Sequence, residues 1–381
     1  MNKYIDISKV EMNSHLPKFD FNIDNGAYEL AICLFEKCNM RCKFCFQYHE
    51  NDIDLNYIRK IPMLVRECMM QEVIKYNITD LNVKIWGGEV FLDNINNTMQ
   101  LFTEYKLLMS NLHRSFSYIS KRTNLKFVTY RWLTNGIFNP RTLNYVINFV
   151  DEYGIDIGMS FDPERFLKNN LFYKWLSNYT VLRDITDVAL SITLTKPNIN
   201  EYLYGDHISV KIFKELLKNK KMTPSSIDIS YYTASANWKE DLPSEEDLFQ
   251  FFRWCIDNDY RVIKVVDDLI KAHNGEEVLP YCDCVKAGTF IQGRLVKNCA
   301  DRSCMDNKYF YGEYVDCVNE ENCGEYKNSL GLIKQGCLTC KYSYNCQKMC
   351  WLSVIFKYYS TGNCPFKRIY EYLDWRNEYG G

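Results

Sequence analysis

From residue 27 to about residue 240, short apolar runs alternate with longer segments of helical periodicity. The runs are Tyr28–Phe35, Leu81–Trp86, Phe127–Leu133, Ile155–Ser160, Val188–Thr195 and Ile227–Tyr232. The helical segments include Met99–Leu112 and Tyr57–Tyr76, in which Pro62 predicts a kink or a delayed start. Alternating strands and helices are typical of βαβ units and a parallel sheet. Six such units predict an α/β fold, a partial (β/α)6 barrel that is open on one side.

The pattern changes after residue 240. Two amphipathic stretches, Ser244–Asn258 and Ile263–His273, predict helices. Short apolar pieces, glycines and cysteines then replace the regular alternation, and a last helical stretch covers Lys367–Asn377. We therefore expect four parts: an N-terminal extension (1–26), the barrel (27–240), bridging helices (241–280) and a small cysteine-rich domain (281–381).

Composition excludes several classes of protein. The 381 residues are 47% hydrophobic and 25% charged, which is ordinary for a soluble globular chain. A formal charge of −2 gives no general attraction to nucleic acid or anionic membranes. The first 24 residues do not resemble a signal peptide, and no apolar run approaches the ~20 residues of a membrane span. We expect a cytoplasmic protein with no nucleic-acid or membrane partner.

Seventeen cysteines are many for such a chain, and most lie in two regions, at 38–45 and from Cys282 onward. Disulfide frameworks belong to small secreted domains, so clustered thiols in a reducing compartment indicate metal or cluster ligands. Cys33, Cys68 and Cys255 stand among apolar neighbours instead. We expect these three to be small buried side chains.

The most informative segment is the CxxxCxxC run of Cys38, Cys42 and Cys45, directly after the first predicted strand. Three thiolates in one small volume can hold an iron–sulfur cube whose fourth iron stays open to a substrate or cofactor. A structural zinc site would need a fourth ligand, for which His49 is the only nearby candidate. The spacing favours the cluster and leaves zinc as the alternative.

This loop, with Phe44 before its last cysteine, resembles that of the radical S-adenosylmethionine (radical SAM) family. The resemblance implies that the three cysteines hold a 4Fe–4S cluster and that SAM chelates its open iron. One-electron cleavage of SAM would then give methionine and a 5′-deoxyadenosyl radical that abstracts hydrogen. Gly87, Gly88 and Glu89 at the end of the second predicted strand match the family's motif for the amino group of SAM.

Weaker signals follow the next strands. Asn135 lies in a turn after the third run, and Ser160 and Asp162 come at the end of the fourth. The resemblance implies a ribose contact at Ser160 and a nearby polar residue at Asp162, although Pro163 replaces the customary glycine. Arg183, before the fifth run, is the candidate for the SAM carboxylate.

The cysteines at 337–350 have the spacing CxxCxxxxxCxxxC, which resembles the SPASM module of peptide- and protein-modifying radical SAM enzymes. That module holds two auxiliary 4Fe–4S clusters, which makes three clusters in all. The resemblance implies an outer set and an inner set of ligands. The outer set is Cys337, Cys340, Cys346 and Cys364, and the inner set is Cys282, Cys284, Cys299 and Cys350. A zinc ribbon remains the alternative, because thiolates suit both metals.

Two departures from the module stand out. The Cys282–Cys284 spacing is short, and the additional Cys304, Cys317 and Cys323 fall in an insertion that offers substitute ligands. In sulfatase maturases an aspartate directly after the inner-cluster cysteine acts as a base. Ala300 holds that position in this chain, and Asp301, which comes next, is the candidate catalytic residue.

Members with this module mostly act on peptides, so we expect a peptide or protein maturase served by a reductant such as flavodoxin or ferredoxin. About 37 residues precede Cys38, too few for a leader-binding domain, which predicts a separate recognition protein or direct docking. One alternative is a radical SAM enzyme for a small molecule or nucleoside. Another is an iron–sulfur electron carrier without turnover, which would not need Glu89 in a SAM-like setting.

Overall fold

The computed structural model describes residues 26–45, 53–93, 98–167, 171–218, 227–231, 241–276, 278, 287–291, 294–296, 340–342, 346 and 364–379. Six parallel strands form the core of one sheet. They are β1 (Ala27–Cys33), β2 (Asp80–Trp86), β3 (Phe127–Thr134), β4 (Asp156–Ser160), β5 (Val188–Leu194) and β6 (Ile227–Tyr231). Their order in the sheet follows the chain, and each coincides with a predicted run. The fold is a partial (β/α) barrel.

Helices connect successive strands. They are α1 (Leu55–Tyr76), α2 (Thr98–Ser120), α3 (Pro140–Tyr153), α4 (Pro163–Leu167), α5 (Leu171–Arg183), α6 (Lys196–Tyr204) and α7 (Ile208–Leu217). The residues described after the sixth strand include the helices α8 (Glu245–Asp257), α9 (Lys264–His273) and α10 (Pro365–Tyr379). The expected helices at 244–258, 263–273 and 367–377 are confirmed. None of the described helices combines the length and hydropathy of a membrane span.

Pro62 does not delay α1, contrary to the expectation. The helix begins at Leu55 because the Asp54 side chain caps it, accepting hydrogen bonds from the backbone N–H groups of Asn56 (2.9 Å) and Tyr57 (3.2 Å). Pro62 lies inside the helix, where it removes one backbone donor. Burial of the apolar face of α1 against the barrel, which includes Ile58, outweighs that loss.

The two faces of the sheet differ in polarity. In β2, Val83 and Ile85 are fully buried, whereas Lys84 between them is half-buried. On the apolar face Trp132 packs between Tyr105 of α2 and Phe149 of α3, with ring centroids 4.8 and 4.9 Å away. A parallel sheet covered on both faces would carry continuous apolar strands. The alternation means that the second face lines a polar space.

Two strands extend the sheet beyond β1. The backbone of β7 (Ala287–Ile291) pairs in parallel with β1, and β8 (Arg294–Val296) pairs antiparallel with β7. These residues fall in the segment that the sequence assigns to the cysteine-rich domain, yet they complete the barrel sheet. The rest of that domain lies outside the described residues, apart from 340–342, 346 and 364–379.

Candidate active site

A cavity of about 210 Å³ lies where β1 to β5 end, at the C-terminal edge of the sheet. Most of the barrel residues that the sequence singled out line it. They are Cys38, Cys42, Phe44, Cys45, Gly87, Gly88, Asn135 and Ser160. Binding sites of parallel barrels gather at this edge because the loops after successive strands meet there. The fold therefore brings together segments that lie more than 100 residues apart in the chain.

The cysteine loop forms one wall of the cavity. The Cys38 sulfur accepts a hydrogen bond from the Met40 backbone N–H at 3.3 Å, and the Cys45 N–H donates to the Cys42 carbonyl at 3.1 Å. All three thiols are half-buried, and burial raises the pKa of Cys38 to about 12. The positive charge of a bound metal would lower the pKa of these thiols instead, because it stabilises the thiolate form that binds a cluster.

The donor set of the cavity fits a cluster with one open iron. Among the described lining residues there is no fourth cysteine and no His, Asp or Glu. Three thiols and no fourth ligand are what an open cube needs, whereas structural zinc needs four ligands. The thiols do not already converge: the described part of the chain contains no group of three ligating side chains close enough to hold a metal ion. His49 lies outside the described residues.

The Gly87–Gly88 pair brings two backbone segments into direct contact. The Gly88 N–H donates to the Phe35 carbonyl at 2.8 Å. A Cβ atom on Gly88 would lie 2.2 Å from the carbonyl oxygens of both Glu36 and Lys37, and one on Gly87 would lie 2.5 Å from that of Phe35. No side chain fits at these distances. The glycines thus hold the start of the cysteine loop against the end of β2, besides lining the cavity.

Glu89 is fully buried and does not line the cavity. Its Oε1 accepts hydrogen bonds from the Phe91 N–H (2.8 Å) and the Thr134 hydroxyl (2.6 Å), and its Oε2 accepts one from the Asn135 N–H (2.7 Å). Burial raises the pKa of Glu89, and these three donors act against that shift. The carboxylate ties the end of β2 to the end of β3.

Asn135 continues this connection to the cysteine loop. Its Nδ2 donates to Asn39 Oδ1 at 2.8 Å and lies 3.9 Å from Cys38 Sγ, within the range of a hydrogen bond to sulfur. Its Oδ1 accepts from the Ile137 N–H at 2.8 Å. Glu89, Asn135 and Cys38 therefore form one chain of hydrogen bonds across the cavity wall.

A buried ion pair lies beside the cysteine loop, and its Arg165 lines the cavity. Asp162 is fully buried: its Oδ1 accepts from the Thr193 N–H at 2.9 Å, and its Oδ2 lies 2.8 Å from Arg165 Nη2. Arg165 Nη1 donates to Ser160 Oγ at 2.7 Å, and its guanidinium lies 5.8 Å from the centre of the Phe44 ring. Ser160 thus faces the cavity. Asp162 does not line the cavity, and its ion pair fixes the orientation of Arg165.

Arg165 lines the cavity, although the sequence analysis did not single it out. Burial opposes its charge, but the neighbouring sulfur of Cys42 and the Asp162 carboxylate raise its pKa above the ordinary value. Among the described lining residues it is the only cationic side chain. The sequence could have indicated Arg165 by its position. It lies in the first turn of a helix that directly follows a strand, three residues beyond Asp162.

Arg183 lies elsewhere. It is exposed at the end of α5, before β5 begins, and it interacts with the Tyr179 hydroxyl. Residues that precede a parallel strand lie at the edge of the sheet opposite the cavity. The structure therefore does not bring Arg183 to the site, because the helix that carries it runs away from that edge.

The remaining predicted ligands are only partly described. Cys340, Cys346 and Cys364 are half-buried, and Cys346 and Cys364 pack against the edge of the hydrophobic core. The others lie outside the described residues: Cys282, Cys284, Cys299, Cys337, Cys350 and the candidate base Asp301. Of the cysteines expected to be buried, Cys33 and Cys255 are buried and Cys68 is half-buried. Burial raises the thiol pKa of both Cys33 and Cys255.

Comparisons with known proteins add little. No protein-family model matches the chain, and no curated protein matches it. Among solved structures, the crystal structure of Streptococcus suis SuiB matches over 86% of this chain and 74% of that chain, with 13% identity and a TM-score of 0.47. This likeness is too low to assign a site or an activity.

Proposed function

We propose that this chain is a radical SAM enzyme that modifies a peptide or protein substrate. One observation carries the proposal: the cysteines of the CxxxCxxC run, the glycine pair, Asn135 and Ser160 line one cavity at the C-terminal edge of a partial barrel. If the CxxxCxxC run had arisen by chance in an unrelated fold, we would not expect it to line the same cavity as these strand-end residues.

We assign different lining residues to the cluster and to SAM. Cys38, Cys42 and Cys45 would hold the 4Fe–4S cluster, and the cluster and SAM together supply a 5′-deoxyadenosyl radical when bound. Arg165, which pairs with Asp162, would bind the SAM carboxylate in the role that the sequence gave to Arg183. Ser160 and Asn135 offer further polar contacts in the same cavity.

The substrate class rests on the C-terminal cysteines. Their spacing is that of the SPASM module, so we propose two auxiliary 4Fe–4S clusters that accept or relay electrons from a peptide substrate. The enzyme then needs a reductant such as flavodoxin or ferredoxin and a reducing compartment such as the cytoplasm. A separate leader-recognition protein is a candidate partner. Asp301 remains the proposed base.

The decisive experiment is anaerobic reconstitution with iron and sulfide, followed by SAM and a strong reductant. We expect release of 5′-deoxyadenosine, quantified by chromatography and mass spectrometry. Replacing Cys38, Cys42 and Cys45 together with Ala should reduce the release at least about 100-fold, since each step requires the cluster.

Cys68→Ala is the matched control, because Cys68 is a half-buried thiol on α1 that does not line the cavity. It should retain the activity of the unmodified protein. Undiminished 5′-deoxyadenosine from the triple variant, or stoichiometric zinc in place of iron in anaerobically purified protein, would refute the proposed function.

A further inference from the structure

A closed ring of hydrogen bonds joins the cysteine loop to the turn after β3. The Ile137 N–H donates to Asn135 Oδ1, Asn135 Nδ2 donates to Asn39 Oδ1, and Asn39 Nδ2 donates to the Ile137 carbonyl, each at 2.8 Å. Asn135 and Ile137 are buried, and Asn39 is half-buried. Hydrogen bonds are stronger in such a low dielectric, and neighbouring bonds polarise one another. The ring therefore fastens two segments that lie 96 residues apart in the chain.

The backbone of Ile137 fixes the orientation of both side-chain amides. Its N–H needs an acceptor, so Asn135 presents Oδ1 to it and turns Nδ2 toward Asn39. Its carbonyl needs a donor, so Asn39 presents Nδ2 to it and turns Oδ1 toward Asn135. If either amide were rotated by half a turn, donors would face donors and acceptors would face acceptors. The ring is thus complementary in one arrangement of the two side chains.

The second N–H of the Asn135 amide reaches the Cys38 sulfur. The distance from Nδ2 to Sγ is 3.9 Å, and the Met40 N–H donates to the same sulfur at 3.3 Å. The backbone of Asn135 is held as well, because its N–H donates to Glu89 Oε2 at 2.7 Å. Both N–H groups of the Asn135 amide are therefore used within the protein, and one lone pair of its Oδ1 remains for a ligand in the cavity.

A hydrogen bond to a ligand sulfur affects how easily an iron–sulfur cluster is reduced. Reduction adds negative charge that spreads onto the sulfurs, and an N–H donor at a sulfur stabilises the reduced state more than the oxidised one. Loss of such a donor therefore lowers the reduction potential, and so does a negative charge nearby. Position 39 is suited to exert that second effect, because Asn39 Oδ1 lies 3.8 Å from the Cys38 sulfur.

We propose that Asn39 and Asn135 are positioning residues of the cysteine loop, and that the Asn135 N–H at the Cys38 sulfur sets the reduction potential of the cluster held there. Neither asparagine touches the reacting atoms, since both act through Cys38. The inference rests on the proposed function only in that Cys38, Cys42 and Cys45 hold the cluster. The sequence did not single out Asn39, because an asparagine within a cysteine loop has no chemical signal of its own.

The test is a redox titration of the reconstituted full-length protein without SAM, monitored by the EPR signal that the Cys38/Cys42/Cys45 variant lacks. At a fixed potential, Asn135→Ala should reduce the ratio of reduced to oxidised cluster at least about threefold, the effect of one neutral hydrogen bond. Asn39→Asp keeps the acceptor for Asn135 but adds a charge. It should reduce the ratio about tenfold, which corresponds to a potential lower by about 59 mV for one electron.

Asn124→Ala is the matched control. Asn124 Nδ2 donates to Asn77 Oδ1 at 2.6 Å, so this variant also separates two asparagine side chains, but at exposed positions after the ends of α2 and α1. It should leave the potential of the cluster unchanged. A purely structural contact would lower stability without changing the potential. An unchanged potential in both Asn135→Ala and Asn39→Asp therefore overturns the proposal.

Cluster-free protein tests the ring separately. Urea unfolding of Asn39→Ala, of Asn135→Ala and of the variant with both changes forms a double-mutant cycle. The two losses of stability should not add, because either replacement alone opens the ring. Additive losses would show that the two amides do not act as a unit.

A measurement on the unmodified protein decides the matter if the variants bind no iron. Pulsed EPR of protein grown with asparagine carrying ¹⁵N in the side-chain amide should show a weak ¹⁵N coupling to the reduced barrel cluster. Absence of this coupling contradicts the inference. Release of 5′-deoxyadenosine is assayed separately, so loss of SAM cleavage with the expected shifts in potential would refute only the proposed function. An unmodified protein that binds no iron would refute both.

Discussion

At the scale of single residues, Gly88 and Glu89, which match the family motif, also hold segments of the fold together. Gly88 admits the backbone of Glu36 and Lys37, and Glu89 joins two strand ends. The cavity wall is held by short hydrogen bonds among groups from β2, β3 and the cysteine loop. This wall fixes the backbone of the cysteine loop against the ends of β2 and β3, although the three thiols themselves do not yet converge.

Glu89→Gln should therefore destabilise the protein even without cofactor. The carboxylate accepts three hydrogen bonds, whereas the amide nitrogen of glutamine would face the Asn135 N–H, a donor against a donor. An unsatisfied buried group of this kind costs about 2 kcal/mol. Urea unfolding followed by tryptophan fluorescence would measure the loss.

Glu152→Gln is the control for Glu89→Gln. Glu152 is an exposed carboxylate of α3 with a single ion pair to Lys106, and its replacement should not measurably change the unfolding midpoint. Equal stability of Glu89→Gln and the unmodified protein would show that the carboxylate is not the strand connection described above.

At the scale of elements, the Asp374 carboxylate of α10 binds both α9 and the described part of the cysteine-rich segment. Asp374 lies 2.9 Å from both His273 Nε2 of α9 and Lys341 Nζ, and it accepts a hydrogen bond from the Tyr342 hydroxyl. Lys341 and Tyr342 directly follow Cys340. The turn that carries a proposed cluster ligand is thus docked on α9 and α10 through Asp374, and the Tyr342 ring also stacks on Tyr370 of α10 with centroids 5.1 Å apart.

Asp374→Asn should lower the free energy of unfolding by about 1 kcal/mol at pH 7; the side chain is 38% exposed, so solvent screens the contacts. Hydrogen bonds from Tyr342, Lys341 and His273 lower the pKa of Asp374 in the folded protein. The stabilisation is therefore complete above the unfolded pKa of about 3.9 and is lost as the pH falls further.

Urea unfolding at pH 5 and 3.5 checks this linkage. The difference between the unmodified protein and Asp374→Asn should be smaller at pH 3.5 than at pH 5. Glu371→Gln, on the same helix with only a 3.9 Å contact to Lys367, should show no such change. A difference that grows on acidification would contradict the assigned role.

At the scale of the whole molecule, the barrel and the cysteine-rich segment share one sheet, because β7 joins β1 at the open side. The barrel set at 38–45 is nevertheless separate in the chain from the two auxiliary sets that we propose, whereas those two interleave at Cys350. The barrel cluster should therefore fill independently of the auxiliary clusters.

Iron content tests this independence. Three 4Fe–4S clusters require about twelve irons per chain, and the Cys38/Cys42/Cys45 variant should keep about eight. The matched variant Cys340→Ala removes one ligand of the outer set and should lose up to about four irons while the barrel cluster keeps its SAM-dependent spectrum. Loss of all iron from the first variant would show that the clusters do not assemble separately.

The order of strands and helices follows from the sequence alone, because hydrophobic periodicity is a local property of each segment. The predicted runs match β1 to β6 within a few residues, and strand order then requires the cysteine loop and Gly87–Gly88 to meet at one edge. The start of α1 depends on competing local terms, the Asp54 cap and the burial around Pro62, and the expected delay of the helix at Pro62 was wrong.

Only the tertiary structure decided which side chains share a space. Arg165 and Arg183 are both arginines near strand ends, but one faces the cavity and the other is exposed at the opposite edge. Asp228 is surrounded by charges on β1, β2, β3 and α9, which no local sequence pattern contains. Periodicity determines the face on which a residue lies, whereas its electrostatic surroundings come from strand pairing between distant segments, and only the folded sheet sets that pairing.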